Sequence, residues 1–227
     1  MKKHILFVGN YDKTDLLFYI AKLVSQVKRV LIADCTLTSR YMHAYPKVEM
    51  NTTLQEYDHF DVAEGLKRYS DLEVHLKKGE YDIVLIDAEN EEALRNWPLA
   101  DMYYLVSSFE NPVMQSNAKL LQSYFQEKMI SELYPFTKVL FEVNGTHNES
   151  HLNDLLERHP IHWEDTLTYY PDERDLTRKI NNQFSSTVKL KGISGPYKDV
   201  IRSIVSRILE QSPKETLNLW KQTERRG

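Results

Sequence analysis

Short apolar runs that stop on a polar residue, separated by stretches of helical periodicity, limit what this chain can fold into. Residues 4–8 run into Gly9, 30–33 into Asp34, 81–86 into Asp87, and 102–106 into Ser107-Ser108. Residues 139–143 end at Asn144-Gly145, and 167–170 end at Pro171. The central runs show little polar alternation, which is the pattern of parallel strands covered on both faces. Between the first two runs, Leu16, Leu17, Ile20, Leu23, Val24 and Val27 recur at helical spacing. Residues 66–78, 112–130, 149–158, 173–184 and 196–209 read as further helices, the second with Pro112 in its first turn, and 91–97 reads as a short one. Residues 40–66 fit neither period and are expected to be loop with a short strand. The alternation predicts a layered α/β domain with right-handed crossovers over residues 1–211, and Pro213 sets off a tail at 212–227.

Ligands of such a sheet collect beyond the carboxyl ends of its strands. The polar residues at those ends are Gly9 to Thr14, Asp34 to Thr36, Asp87 to Asn90, Ser107-Ser108 and Asn144. Their gathering on one edge is the main functional pointer in the sequence. Composition narrows the classes further. A net charge of −4 gives no general pull toward nucleic acid. One cysteine, Cys35, allows no internal disulfide and fits a reducing compartment. No apolar run approaches the ~20 residues of a membrane span. The expected location is cytoplasmic.

The loop Gly9-Asn10-Tyr11-Asp12-Lys13-Thr14 joins a buried strand to an amphipathic helix. A phosphate-binding loop needs glycines to expose backbone N–H groups, a lysine for the outer phosphates, and a Ser or Thr for Mg²⁺. Gly9, Lys13 and Thr14 meet that need at suitable spacing. The alternative is an ordinary turn with a solvated Lys13 and a helix cap from Asp12 or Thr14.

From about residue 3 to 210 the chain resembles the MinD/ParA family of deviant P-loop ATPases. The stretch Val8 to Thr14 aligns with that family's loop, and residues 29–34 with its second strand. Residues 81–87 align with the strand that carries its metal-site acid, and 140–144 with the strand whose Asn contacts the base. Pro171-Asp172 aligns with its late Pro-Asp turn. The resemblance implies a three-layer α/β/α P-loop NTPase-like domain with a mostly parallel central sheet. It implies ATP and Mg²⁺ as cofactors, bound through Gly9, Asn10, Asp12, Lys13, Thr14 and Asn144. Thr14 and Asp87 would hold the metal, and Asp34 and Asp87 would be the catalytic positions.

The departures are as informative. Val8 stands in place of the family's signature lysine. Asn10 and Asp12 replace two loop glycines, Thr36 replaces a second acid, and Ala88-Glu89-Asn90 lacks the switch glycine. The chain has only 7 glycines in 227 residues, and the shortage falls in this loop. Two unit charges ~4 Å apart repel by about 4 kcal/mol at an effective dielectric of ~20, so Asp12 opposes a phosphate strongly. The resulting expectation is a degenerate member with weak or lost hydrolysis, acting as a partner-binding or positioning factor, and the resemblance implies a membrane or envelope machine such as a pilus or secretion system. The alternatives are an active, ATP-dependent dimerising ATPase and a ligand-free structural adaptor.

Another protein is the expected partner, with a homodimer as a second arrangement. The late basic series (Arg174, Arg178, Lys179, Lys189, Lys191, Lys198, Arg202, Arg207) is interleaved with acids and reads as a solvated mixed face, against nucleic acid. The tail holds Leu217, Leu219 and Trp220, too little for a strong membrane anchor at the inner face. His147 and His151 lie four apart but have no evident third ligand, and Cys35 has no base beside it.

Overall fold

A computed structural model describes residues 2–47, 52–94, 97–126, 128, 132–143 and 148–226. Eight strands form one sheet in the order β3-β4-β2-β5-β1-β6-β7-β8. They are β1 Lys3–Val8, β2 Val30–Cys35, β3 Leu54–Tyr57, β4 Phe60–Ala63, β5 Ile83–Ala88, β6 Met102–Ser108, β7 Tyr134–Phe141 and β8 Ile161–Tyr169. All pairings are parallel except β3 with β4.

The helices are α1 Thr14–Val24, α2 Tyr69–Lys78, α3 Glu91–Leu94, α4 Asn111–Phe125, α5 Glu149–Leu156, α6 Glu173–Asn182, α7 Gly195–Leu209 and α8 Pro213–Arg226. They cover both faces, so neighbouring residues of one strand enter different cores. Ile5 and Phe7 join α1 and α7 in one apolar layer, while Leu6 and Val8 join α4 and α5 in the other. This explains the continuous apolar runs: every position of β1 from Ile5 to Val8 is buried. The architecture is the expected three-layer α/β domain with a mostly parallel sheet.

Residues 40–66 hold more structure than expected. Arg40–His43 is a 3-10 turn, and β3 and β4 form a hairpin. Its two-residue turn is Asp58-His59, with φ of 47° and 73°. Such a turn needs positive φ at both positions and usually advertises itself with Asn-Gly or Asp-Gly. Here Lys22 and the Val188 N–H hold the Asp58 carboxylate instead.

β8 starts six residues before the expected run. His162, Glu164 and Asp165 face solvent on this edge strand, and a bulge between Phe136 and Thr137 shifts its register. Exposed charge and a bulge are common protections of a sheet edge. Helix α1 stops before Val27, which is exposed.

The C-terminal segment is helix α8, packed on α1 and α7 with Trp220 buried. No helix among the described residues is long and apolar enough to cross a membrane. Helix α6 is turned inside out. Asp175 and Asn182 are buried, whereas Leu176, Ile180 and the nearby Phe184 are 57%, 47% and 81% exposed.

Candidate functional site at the carboxyl edge

The sheet order places β1 between β5 and β6, so the chain passes from one side of β1 to the other. A crevice at the strand ends is expected at such a point. The loop after β1 begins with Gly9 at φ 143°, where a Cβ would lie 2.0 Å from the Val106 carbonyl oxygen. Only glycine fits there. The Asn10 N–H then donates to Asn117 Oδ1 at 2.7 Å. The Thr14 N–H and hydroxyl donate to Asp12 Oδ1 at 3.1 and 2.8 Å, so Asp12 satisfies the first turn of α1.

Lys13 is fully buried and points inward. Its Nζ lies 2.6 Å from Asp87 Oδ1 and 3.4 Å from Glu89 Oε1, and donates to the Gly9 carbonyl at 2.7 Å. The second oxygen of Asp87 accepts from the buried Tyr41 hydroxyl at 2.9 Å. Arg40 bridges outward, 3.2 Å from Glu89 Oε2 and 3.4 Å from Asp12 Oδ1. Lys179 of α6 comes from the other side, 2.7 Å from Asp12 Oδ2 and 3.4 Å from Asp15 Oδ1.

Asp34 is spent differently. Its Oδ1 accepts from the Thr36 N–H and hydroxyl at 3.0 and 2.6 Å, and its Oδ2 accepts from Gly65 N–H at 3.2 Å. It therefore pins the end of β2 to the segment after β4.

The ionisation follows this geometry. Burial alone would raise the Asp12 carboxyl, but the charge and hydrogen bond of Lys179 and the two Thr14 donors outweigh it, leaving Asp12 below the usual carboxylate range. Burial pushes Asp15 and Asp34 up. Burial also lifts Glu89, to about 7; Lys13 and Arg40 oppose the rise and Asp87 adds to it. Cys35 is buried beside this cluster, and desolvation drives its thiol well above the normal range, which leaves it a packed and unreactive group.

Of the residues singled out from sequence, Gly9, Asn10, Asp12, Lys13, Thr14, Asp34 and Asp87 all lie along this edge. Asn144 lies outside the described residues, as does His147. No group of three or more His, Cys, Asp or Glu that could hold a metal occurs among the described residues. Glu89 lies in the strand-end stretch 87–90 but carries no role in the sequence reading, and Arg40, Tyr41 and Lys179 are not read there as site residues. Lys179 belongs to the basic series read as solvated, yet it is tied to Asp12 and Asp15. The helical period of α6 carried a usable signal, since it puts Lys179 on the same side as the buried Asp175 and Asn182.

The fold class is three-layer α/β with a mostly parallel sheet, and solved structures of low sequence identity share it. MinD cell division protein from Aquifex aeolicus matches with a TM-score of 0.58 at 14% identity, over 93% of this chain and 98% of that one. A ParA family ATPase from Chlorobium tepidum matches with a TM-score of 0.57 at 16% identity, over 88% and 98%. A plasmid partition protein from Borrelia burgdorferi, solved with AMPPNP, matches at 0.54 and 13%, over 92% and 99%. No protein-family model and no curated protein matches the sequence. The chain thus has the ParA/MinD-type fold.

As arranged, the residues do not fit a magnesium nucleotide. Asp87 would have to offer an oxygen to the metal, but one oxygen is paired with Lys13 and the other with Tyr41. The Thr14 hydroxyl is donated to Asp12. Lys13, which would reach outer phosphates, is sealed under the loop. The stacking of Tyr11 on Phe141, with ring centroids 4.5 Å apart, also fills space beside the loop.

Proposed function

We propose that this protein is a ParA/MinD-type partner-binding or positioning factor that has lost effective ATP hydrolysis. One observation carries this reading. The lysine and the acid that a P-loop enzyme would direct at phosphate and metal neutralise each other inside the protein, 2.6 Å apart. Breaking a buried pair on one side costs about 3–5 kcal/mol. A micromolar ligand supplies about 8 kcal/mol in total, so diverting Lys13 to a phosphate would consume much of its affinity. The outward apolar side of α6 supports the partner-binding half of the reading, because solvent-facing apolar residues aligned on one helix face commonly mark contact surfaces.

The test is phosphate release from ATP by the wild type and by Lys13→Ala, alongside titration of a fluorescent ATP analogue. The reading expects no turnover above buffer in either protein. Turnover in the wild type that disappears in Lys13→Ala would establish an active ATPase instead. Size-exclusion chromatography with and without ATP then distinguishes a nucleotide-driven dimer from a nucleotide-indifferent adaptor.

A further inference from the structure

Helix α6 turns its polar side inward. Asp175 accepts the Tyr169 hydroxyl at 2.6 Å and the Ser194 N–H at 2.7 Å. Asn182 exchanges two hydrogen bonds with the Lys189 backbone, and Lys179 is tied to Asp12 and Asp15. These three residues are spaced four and three apart, so together they fix one face of the helix toward the protein. The same period sets the opposite face. Leu176 and Ile180 lie four apart on it, and Phe184 continues the line in the turn that follows. Thr177 and Asn181 stand beside them, so the outer face from 176 to 184 carries no charge.

We infer that this ridge is an interfacial anchor that inserts into an anionic lipid surface. The inference rests on the reading of α6 as a contact surface and names what covers it. Shape is the first reason. Phe184 is 81% exposed, so it projects from the protein rather than lining a recess. A projecting apolar ridge on a surface helix suits a deformable acyl boundary.

Charge is the second reason. Residues 170–192 hold five Lys or Arg against three acids, in a chain whose net charge is −4. Of those acids, Asp175 is buried, and Asp172 is held by two nitrogens of Arg174 at 2.9 and 2.8 Å. The Arg178 guanidinium lies against Gly192, which brings the exposed Lys191 back beside the helix. Apolar side chains with cations along one flank are what an anionic interface attracts. Tyr170, 55% exposed just before the helix, adds a ring with a polar tip, the type that settles at the membrane–water boundary. The terminal helix α8 offers no such ridge. Its Trp220 is buried, with the Lys198 ammonium 5.0 Å from the ring centre.

The experiment is vesicle flotation of the full chain without nucleotide. One set of vesicles is phosphatidylcholine alone, and the other contains one-third phosphatidylglycerol. We expect the wild type to float with the anionic vesicles, about tenfold less with the neutral ones, and less with both at high salt. Ile180→Gln with Phe184→Gln should weaken anionic-vesicle binding about tenfold or more, and Lys191→Gln about fivefold. Lys221→Gln with Arg225→Gln, on the outer face of α8, should leave it unchanged. In Phe184→Trp, brominated lipid should quench fluorescence beyond the loss seen in the wild type, which reports insertion rather than surface adsorption. Both α6 positions are exposed, so circular dichroism should be unaltered; if the double variant unfolds, Phe184→Gln decides alone. The inference is overturned by a wild type that does not float, by binding that ignores the α6 changes, or by an equal loss from the α8 changes. It is also overturned if the ridge variants abolish a concentration-dependent dimer while no protein binds vesicles, which would assign the ridge to a second copy. ATP turnover is measured on the same wild-type sample. Turnover there overturns the proposed loss of hydrolysis and leaves the anchor standing, whereas a silent protein that stays off the vesicles overturns the anchor only.

Discussion

Helix α1 carries a buried lysine near each end, and the two are held differently. Lys22 meets one carboxylate, Asp58, at 2.7 Å, and the other oxygen of Asp58 accepts the Val188 N–H at 2.6 Å. Charge is balanced one to one, and the pair fixes the hairpin turn where Asp58 has a positive φ. Lys13 meets two carboxylates, Asp87 and Glu89, and Arg40 reaches Glu89 only from the partly exposed side. Lys22 is a staple. Lys13 is also a staple, but it serves two carboxylates, and burial raises the second, Glu89, to about 7 against the opposing pull of Lys13 and Arg40. The difference is one of partners: Lys22 has a single carboxylate, whereas the protein supplies Lys13 with two.

The comparison breaks most visibly when each cation is removed without changing much volume. Lys13→Met leaves Asp87 and Glu89 facing each other with no buried cation. A loss of about 3–5 kcal/mol is expected, read by urea unfolding. Lys22→Met leaves Asp58 a backbone N–H donor, so a smaller loss of about 2–3 kcal/mol is expected by the same measurement. If Lys22→Met proves the more damaging, or Lys13→Met leaves stability unchanged, Lys13 is not structural and the proposed function loses its main support.

The next effect is the pH slope. Glu89 has a folded pKa above the ordinary carboxylate value, so its contribution is fully present in acid. It is lost as pH rises from the ordinary carboxylate range through about 7. Asp15 and Asp34, also raised by burial, add to the slope in the same direction. Asp12 is lowered, and its contribution is lost only when acid protonates it. Glu89→Gln removes one titrating group. It should therefore flatten the stability profile between pH 5 and 8 by on the order of 2 kcal/mol while leaving the Asp15 and Asp34 part. An unchanged slope would show that Glu89 is not the group titrating in this range.

How much of this was legible follows from the same contrast. Lys13, Thr14, Asp34 and Asp87 could be read because each follows a buried apolar run, and the parallel sheet brings all such ends together. Their partners could not. Glu89 reaches Lys13 across 76 residues of sequence, and Lys179 reaches Asp12 across 167. No local period encodes those meetings. The strands of the sheet interior were legible for their unbroken apolar runs. The hairpin was not, because Asp58-His59 lacks a turn glycine and is held by tertiary contacts from α1 and Val188. Lys13 itself was legible as a position but not as a role, since residue type and spacing are the same for a lysine aimed at phosphate and one folded under its loop.

The smallest effect makes the sharpest distinction, because it concerns one hydroxyl. Tyr41 is fully buried, packs edge-on against Phe18 at 5.4 Å, and donates its hydroxyl to Asp87. Tyr41→Phe keeps the ring contact and removes only the donor. A hydrogen bond to a charged partner is worth about 1.5–3 kcal/mol, and a loss near the lower end is expected because Lys13 still neutralises Asp87. The variant also frees one Asp87 oxygen. If Asp87 is held in reserve for a metal, Mg²⁺ should stabilise Tyr41→Phe more than the wild type. If Asp87 belongs to the fold as Asp58 does, Mg²⁺ should leave the Tm of both proteins unchanged. The second outcome is expected, because Lys13 remains 2.6 Å from the carboxylate and its positive charge repels a cation at that site.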